Sequence, residues 1–497
     1  MKINIYLKTI ATCLVITLSL ASCGDDFVEL SPQYSIDSEN FFNSEDDYYS
    51  ALVAAYDMLQ SSYVNVILGE IASNNTLCGG ESPTDVIGWQ QIDDMIHTSN
   101  NGNLHDIWKW MFAGVQRTNY FMEFRDKIEF EGRAEMIGEV QFLRAYYHFE
   151  LVKWFGGIPM KVNERFQLGD ETSIPRSSVA EVYAQIELDL IFASENLPYI
   201  QAEKGRITKG AAQALLGKAY LYQNKFDEAS IILENLILNG PYALVADATN
   251  FMNMFENLNE NNIESVFEVQ YVENQGAGFG CLQCSEGNVA VGFQGIRGYT
   301  GPNFTSGFSF NIPVQELVDA FEMDDRRIDV TILDIDAWSQ QTGATFDKGY
   351  EHTGYFNRKY LPRSRGADAQ GDRNLTNPNN YRAIRFADVL LMAAEAFNRK
   401  NDPEDVKAQD YLNRVRQRAF GDMMHNLSST GTSLTEDIFK ERRLELAGEG
   451  HRFFDLVRTE KAAEKITGFI AGKHELFPIP AIEIQLTGNR WTQNPNY

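Results

Sequence analysis

The chain has 497 residues, 44% of them hydrophobic and 12% aromatic, so it can bury a large core and is not an intrinsically disordered chain. Its 69 acidic and 43 basic residues give a formal net charge of -26. A surface of that charge repels phosphate backbones and anionic lipid headgroups. We therefore expect no nucleic acid among its partners.

The first 22 residues are predicted to be a lipoprotein signal peptide rather than part of the fold. Lys2 and Lys8 precede an apolar run, residues 10–20, that is too short to cross a bilayer, which takes about 20 residues. The run ends in Leu-Ala-Ser-Cys23, which resembles a bacterial lipobox, so Cys23 is the expected site of lipidation. Residues 23–36 then form a flexible tether. The plainer alternative is a secretory leader followed by an incidental cysteine.

No later segment is long and apolar enough to span a membrane, so the predicted attachment is by the lipid anchor only. Of the five cysteines, Cys78, Cys281 and Cys284 remain in the folded part. The spacing of Cys281 and Cys284 suits zinc, but a closed site needs four ligands and no second pair exists. We expect a local disulfide or two free thiols there, and no metal or other cofactor.

Helical patterns dominate much of the chain. Ser44 is placed to cap a first helix, and apolar stripes predict further helices over residues 134–155 and 178–197. A helix pair that starts near Thr208 fits the tetratricopeptide (TPR) pattern. Its matching positions are Leu216, Gly217, Tyr220, Ala229 and Pro241, while Gln213 departs from the expected Trp.

A second helix pair is predicted over residues 381–419, with its break at residues 401–403. One such pair cannot bury its apolar face alone, so several must pack together. Residues 273–371 differ in character, because glycines interrupt any helix and aromatic residues lie among them. This segment is predicted to be a loop-rich subdomain inserted into a helical frame.

Several motifs, in order along the chain, resemble the SusD/RagB family of outer-membrane nutrient-binding lipoproteins. They are Cys23-Gly-Asp-Asp-Phe27, Phe41-Phe-Asn-Ser-Glu-Asp-Asp-Tyr48, Phe142-Leu-Arg-Ala-Tyr-Tyr-His-Phe149, Phe155-Gly-Gly-Ile-Pro159, Arg385-Phe-Ala-Asp-Val-Leu-Leu-Met-Ala-Ala-Glu-Ala396, Leu412-Asn-Arg-Val-Arg416, Glu441-Arg-Arg-Leu-Glu445, Gly450-His-Arg-Phe-Phe-Asp-Leu456, Phe477-Pro-Ile-Pro480 and Gln493-Asn-Pro-Asn-Tyr497. Each motif alone is weak, but the ordered set is specific.

The resemblance implies a mainly α fold in which four TPR-like helix pairs carry an irregular, loop-rich subdomain. Residues 37–497 would form one SusD-like domain, with ligand-binding insertions around residues 65–105 and 273–371. It also implies a surface lipoprotein of the outer membrane that captures a glycan for a SusC-like TonB-dependent transporter. Two alternatives stay open: a peptide-binding, RagB-like uptake component, and a TPR scaffold without a small-molecule ligand.

Two stretches combine aromatic rings with polar side chains, as a glycan site requires. In the first, Trp89 is the predicted platform, with Asn75 and Asp93 as polar partners. The resemblance places ligand contacts in this region and in the inserted subdomain. In the second stretch, Arg297, Tyr299 and Phe304 are the predicted contacts. A Trp that fills a local core is the competing interpretation of Trp89.

The charged residues between positions 441 and 455 are interpreted as a structural ion-pair network, because Glu441, Glu445 and Glu449 recur every fourth residue. The sequence lacks the serine-hydrolase elbow, the His-Glu-x-x-His zinc motif and the phosphate-binding P-loop. We therefore predict a binding protein and not an enzyme.

Overall fold

The computed structural model describes residues 41–246, 251–276 and 278–497, and helices dominate it. The α-helices of the described residues are α1 (Glu45–Asp57), α2 (Tyr63–Ile71), α3 (Ile87–Asp93), α4 (Gly102–Glu123), α5 (Arg133–Phe155), α6 (Val179–Asn196), α7 (Lys209–Tyr222), α8 (Phe226–Asn239), α9 (Val289–Gln294), α10 (Gln315–Ala320), α11 (Arg327–Thr331), α12 (Ile335–Thr342), α13 (Phe386–Arg399), α14 (Asp405–Phe420), α15 (Gly431–Glu445), α16 (Arg452–Arg458), α17 (Ala462–Lys465) and α18 (Ala481–Leu486). The strands are β1 (Thr76–Gly79), β2 (Ser265–Val269), β3 (Phe310–Pro313), β4 (Ile332–Asp334), β5 (Tyr355–Asn357) and β6 (Tyr381–Arg385).

The longer helices form the predicted frame. Helices α4, α5, α6, α7, α8, α13, α14 and α15 pack in a row, each against the next. Local sequence explains where two of the helices start. The Ser44 hydroxyl accepts a hydrogen bond from Asp47 N in the first turn of α1, and Ser178 and Glu181 form a reciprocal capping box at the start of α6. Within the described residues, none of the helices has the length and hydropathy to cross a membrane.

The TPR-like pair, α7 and α8, has the close contact that its pattern predicts. A Cβ atom added to Gly217 would lie 2.5 Å from Leu233 Cδ2, and Ala229 on the facing helix is fully buried. Only a residue without a side chain allows the two helices to approach this closely. The predicted pair is confirmed.

Gly217→Ala is therefore expected to destabilise the protein, although alanine is the better helix former. Overpacking a close contact costs roughly 1–3 kcal/mol, against a gain of at most about 1 kcal/mol from helix propensity. Gly102→Ala is the matched control, because a Cβ at Gly102 has no atom within 4 Å. Urea unfolding measures both variants, and equal midpoints would contradict the packing argument.

The second predicted pair, α13 and α14, begins later than its pattern indicates. Residues 381–385 form strand β6, which pairs with β2 in an antiparallel ladder, instead of the start of a helix. Arg382 and Arg385 are almost fully buried there. Arg382 Nη2 donates to Met254 O and Glu256 O at 3.4 Å, and Arg385 Nη1 donates to Glu264 Oε1 at 2.7 Å. Those distant partners fix the strand, and a local pattern cannot show them.

The two predicted insertions meet in a small sheet. Strand β1, from the first insertion, pairs with β3, from the second, with Thr76 opposite Pro313 and Gly79 opposite Phe310. Strands β4 and β5 form a second ladder within the 273–371 segment. Residues of the two insertions therefore share one surface.

Buried ion pairs attach the second insertion to the frame. Arg327 of α11 contacts Glu441 at 2.5 Å, and Lys359 contacts Glu449 at 2.7 Å. All four side chains are at most 3% exposed. The predicted structural network is confirmed, with one correction: α15 ends at Glu445, so Glu449 lies in the turn beyond the helix.

Candidate functional site

Trp89 is not the exposed platform that the sequence predicts. Its side chain is 2% exposed, and its ring packs against Phe293 and Phe310, with ring centroids 4.9 and 5.0 Å away. Both neighbours come from the second insertion and cover the indole faces. The competing interpretation, a Trp that fills a local core, is the one the structure supports.

Tyr299 and Phe304 are also core residues, each 6% exposed. The Tyr299 hydroxyl donates to Pro302 O and accepts from Trp338 Nε1, both at 2.8 Å, so its hydrogen-bonding capacity is used internally. Phe304 packs against Trp338 and lies under the Arg363 guanidinium. These two predicted contacts hold the insertion together and have no ring face free for a sugar.

The predicted polar partners of Trp89 are occupied as well. Asn75 is fully buried, and its side-chain oxygen accepts a hydrogen bond from Arg443 Nε at 2.8 Å. Asp93 accepts one from the Cys78 backbone N–H at 3.0 Å, which ties α3 to β1. Asn75 therefore joins the first insertion to α15, and Asp93 stabilises the insertion from within.

Burial raises the pKa of Asp93 to about 7, with smaller contributions from Glu351 and Asp94. A raised folded-state pKa means that the folded protein holds a proton that the unfolded chain releases above about pH 4. The contribution of Asp93 to stability is therefore fully present below about pH 4 and is lost as the pH rises through 7.

Asp93→Asn, which mimics the protonated acid and keeps the acceptor for Cys78, is expected to be more stable than the wild type at pH 8. The gain is expected to reach about 2–4 kcal/mol, since one pKa unit corresponds to about 1.4 kcal/mol. It should shrink towards zero near pH 4. Urea unfolding at both pH values tests this, and a gain independent of pH would contradict it.

Arg297 is the predicted contact that remains near the surface, with 22% of its side chain exposed. Its guanidinium donates to Phe308 O at 3.1 Å and lies 3.5 Å from Glu81 and 3.6 Å from Asp85, both on the first insertion. Arg297 Nε is buried without a hydrogen-bond partner among the described residues. Arg297 thus joins the two insertions and retains an unused donor.

An exposed aromatic ring is connected to this arginine through Phe308. Phe279 is 62% exposed, and its ring contacts that of Phe308 edge-on, with centroids 5.8 Å apart. Phe308 in turn contacts Phe293, the ring that covers Trp89. We call Phe279, Phe308, Arg297, Glu81 and Asp85 the Phe279 surface.

The chain around Phe279 is held locally. Cys281 and Cys284 form a disulfide, and Cys281 N donates to Gly278 O at 3.1 Å. On the other side, Gln370 N donates to Glu273 O at 2.7 Å. Of the two alternatives for Cys281 and Cys284, a local disulfide or two free thiols, the structure has the disulfide. It holds the loop that carries Phe279.

Phe279 is one of the aromatic residues that lie among the glycines of residues 273–371, but it is not one of the predicted ligand contacts. In the sequence, the signal is that Gly278 and Gly280 flank the ring. In the structure, a Cβ atom at either glycine would have open space around it, as expected where a ring projects outward. Cys23 lies outside the described residues. Within residues 41–246, 251–276 and 278–497, no group of His, Cys, Asp and Glu side chains is arranged to hold a metal ion.

Two family profiles match the chain. The one described as "SusD family" matches residues 259–497, and the one described as "Starch-binding associating with outer membrane" matches residues 26–221. Among curated proteins, the chain is 24% identical over 495 residues to SusD-like protein P38 of Formosa agariphila, and the match covers 92% of each chain.

Solved structures match over nearly the same length. A laminarin binding SusD-like protein is 34% identical, with a TM-score of 0.82, over 91% of this chain and 100% of that one. Surface glycan-binding protein A from Bacteroides thetaiotaomicron in complex with laminarihexaose is 26% identical, with a TM-score of 0.80, over 91% and 100%. Because the 34% identity extends over an entire solved relative, this chain belongs to the SusD family and has its mainly helical fold.

Proposed function

We propose that this protein binds a glycan on the Phe279 surface and catalyses no reaction on it. The observation that carries the proposal is the exposed Phe279 ring, which contacts Phe308, the residue whose carbonyl accepts a hydrogen bond from Arg297 at the junction of the two insertions. An aromatic face packs against the CH-rich face of a sugar ring, and charged side chains at its edge hydrogen-bond to the hydroxyls.

The relatives indicate which glycan to test first. One relative is a laminarin binding protein and another was solved in complex with laminarihexaose. A β-glucan such as laminarin is therefore our first candidate ligand. The family description that names starch makes an α-glucan the second. The excess of acidic residues, with a net charge of -26, disfavours polyanionic sugars.

The protein's place in the cell is the second part of the proposal. The family description gives association with the outer membrane. We propose that Cys23 carries the lipid that anchors the chain there, facing the cell exterior, and that a SusC-like TonB-dependent transporter receives the glycan. Cys23→Ala should leave a folded protein that washes off outer membranes, and its retention there would contradict the anchor.

The direct test is calorimetric titration of the full-length protein with laminarihexaose and with maltohexaose. The detergent must have no sugar headgroup, so that it does not compete. Saturable binding of either oligosaccharide supports the proposal. If neither binds and an unstructured peptide mixture does, the protein is instead a peptide-binding uptake component.

A further inference from the structure

A second aromatic surface lies apart from the residues of the Phe279 surface. It is a groove of about 360 Å³, which falls within the usual range of small-ligand sites. Phe112 of α4, Phe166 and Trp491 line it with half-buried rings, and the buried Trp108 packs beneath them. The ring centroids of Trp108 and Phe112 are 4.8 Å apart, and those of Trp108 and Trp491 are 6.1 Å apart.

Hydrogen bonds hold both sides of the groove in place. The Gln116 amide donates to Phe166 O at 3.0 Å and accepts from Phe166 N at 2.8 Å, which fixes the loop carrying that ring. Trp491 Nε1 donates to Ile174 O at 2.9 Å. Because these rings are already ordered, a ligand that enters the groove loses little affinity to ordering them.

The groove also has a carboxylate at its rim, that of Glu483. Trp108 is only 3% exposed, so it supports the neighbouring rings and does not itself offer a face to a ligand. At the rim, Glu483 Oε1 is 2.8 Å from His105 Nε2, whereas in the described part of the chain Oε2 has no hydrogen-bond partner. A carboxylate beside aromatic rings fits the hydroxyls and the CH face of a sugar.

The charges of the lining select among sugars. Asp170, Glu171 and Glu483 are acidic, and Lys109 is the basic residue of the lining. Asp170 pairs with Lys161 at 2.8 Å, which leaves Glu171 and Glu483. Lys109 already lies 2.7 Å from Asp106. An anionic sugar would meet net repulsion here, so the lining favours an uncharged one.

We propose that this groove is a second sugar-binding site, which takes one or two rings of a neutral glycan. The proposal rests on the glycan-binding function above and extends it to a second contact. Helix α4 links the two regions, since the Asn101 side chain that caps it donates to Gly88 O at 2.8 Å in the first insertion. Trp108 lies about 10 Å further along that helix, at about 1.5 Å per residue.

The test compares the full-length wild type, Phe279→Ala, Trp491→Ala and the double variant in titrations with laminarihexaose and maltohexaose. We expect Phe279→Ala to keep a weaker affinity for the oligosaccharide, through the groove. The double variant should bind at least about tenfold more weakly than Phe279→Ala, because it also lacks the aromatic ring of Trp491. Trp491→Phe keeps the ring and should restore most of that loss. Melting temperatures exclude variants that fail to fold.

The outcomes separate the two proposals. If Phe279→Ala removes all binding and Trp491→Ala changes nothing, the groove proposal is overturned and the proposed function stands. If Trp491→Ala alone removes binding, the groove is a sugar site and the Phe279 surface is not. If the wild type binds neither glucan, both proposals are overturned. If Trp491→Ala binds sugar as the wild type does but no longer copurifies with a transporter, the groove proposal alone is overturned.

Discussion

Replacing Phe279 with alanine is expected to weaken laminarihexaose binding at the Phe279 surface by at least about tenfold, which corresponds to about 1.4 kcal/mol. The ring is 62% exposed, so its removal takes away a platform for the ligand but little core packing. The melting temperature should stay within about 1 °C, since surface substitutions usually change stability by less than 0.5 kcal/mol. Calorimetry and a thermal scan measure the two effects.

Two further variants sharpen this prediction. Phe279→Tyr keeps the aromatic face and should retain binding. Trp89→Phe changes the ring that the sequence predicts as platform, and should leave the affinity unchanged while lowering stability by roughly 1–3 kcal/mol, because a buried ring shrinks. If Trp89→Phe weakens binding and Phe279→Ala does not, the assignment of the site is wrong.

Replacing Glu445 with glutamine is expected to destabilise the protein by about 3–5 kcal/mol, the range for breaking a buried ion pair. Its carboxylate lies 2.5 Å from Arg418, 2.8 Å from Arg385 and 3.5 Å from Arg327. All four side chains are at most 2% exposed. Glutamine has almost the same shape, so the loss reports the uncompensated arginine charges.

The same residue gives a pH signature. Burial alone would raise the pKa of Glu445, but Arg418, Arg385 and Arg327 hold it well below its usual range. A carboxyl group whose pKa is lower in the folded state than in the unfolded chain stabilises the fold above about pH 4.5, and this stabilisation is lost as the pH falls. The difference between wild type and Glu445→Gln should therefore be full at pH 7 and shrink below pH 4.5.

Glu436→Gln is the matched control on the same helix, α15. Glu436 pairs with Lys461 at 3.1 Å, but 56% of its side chain is exposed. An exposed pair contributes only about 0–1 kcal/mol. Urea midpoints of the two variants are compared at pH 7, and equal losses would contradict the role assigned to the buried network.

The helical frame could be predicted from the sequence because its signals are local. A stripe of apolar residues and a Ser-x-x-Glu cap are enough to place α6, whose described bounds, Val179–Asn196, differ from the predicted 178–197 by one residue at each end. The Leu-Gly step at residues 216–217 likewise identifies the close contact of α7 with α8. These features depend on neighbours within one or two turns.

The candidate site could not be predicted in the same way. Polar neighbours in the sequence make Trp89 look like a surface residue, but the rings that bury it, Phe293 and Phe310, come from about 200 residues further along the chain. Only the pairing of β1 with β3 brings them together. The sequence does identify the two segments that meet there, and Arg297 within them.

The start of α13 shows the same limit. Its helical pattern extends back to Tyr381, yet residues 381–385 form a strand because β2, more than 100 residues earlier, supplies a ladder partner. Arg385 then reaches Glu264, Glu445 and Glu449, which are also distant in sequence. Long-range pairing and buried charge override the local helical signal here.

A crystal structure of the protein with laminarihexaose shows directly whether the Phe279 surface is the glycan site. We expect a sugar ring whose CH face lies within about 4 Å of the Phe279 ring, the usual contact distance of apolar atoms, with hydroxyls hydrogen-bonded to Arg297, Glu81 or Asp85. An oligosaccharide bound to the described residues with no contact to the Phe279 surface would contradict it.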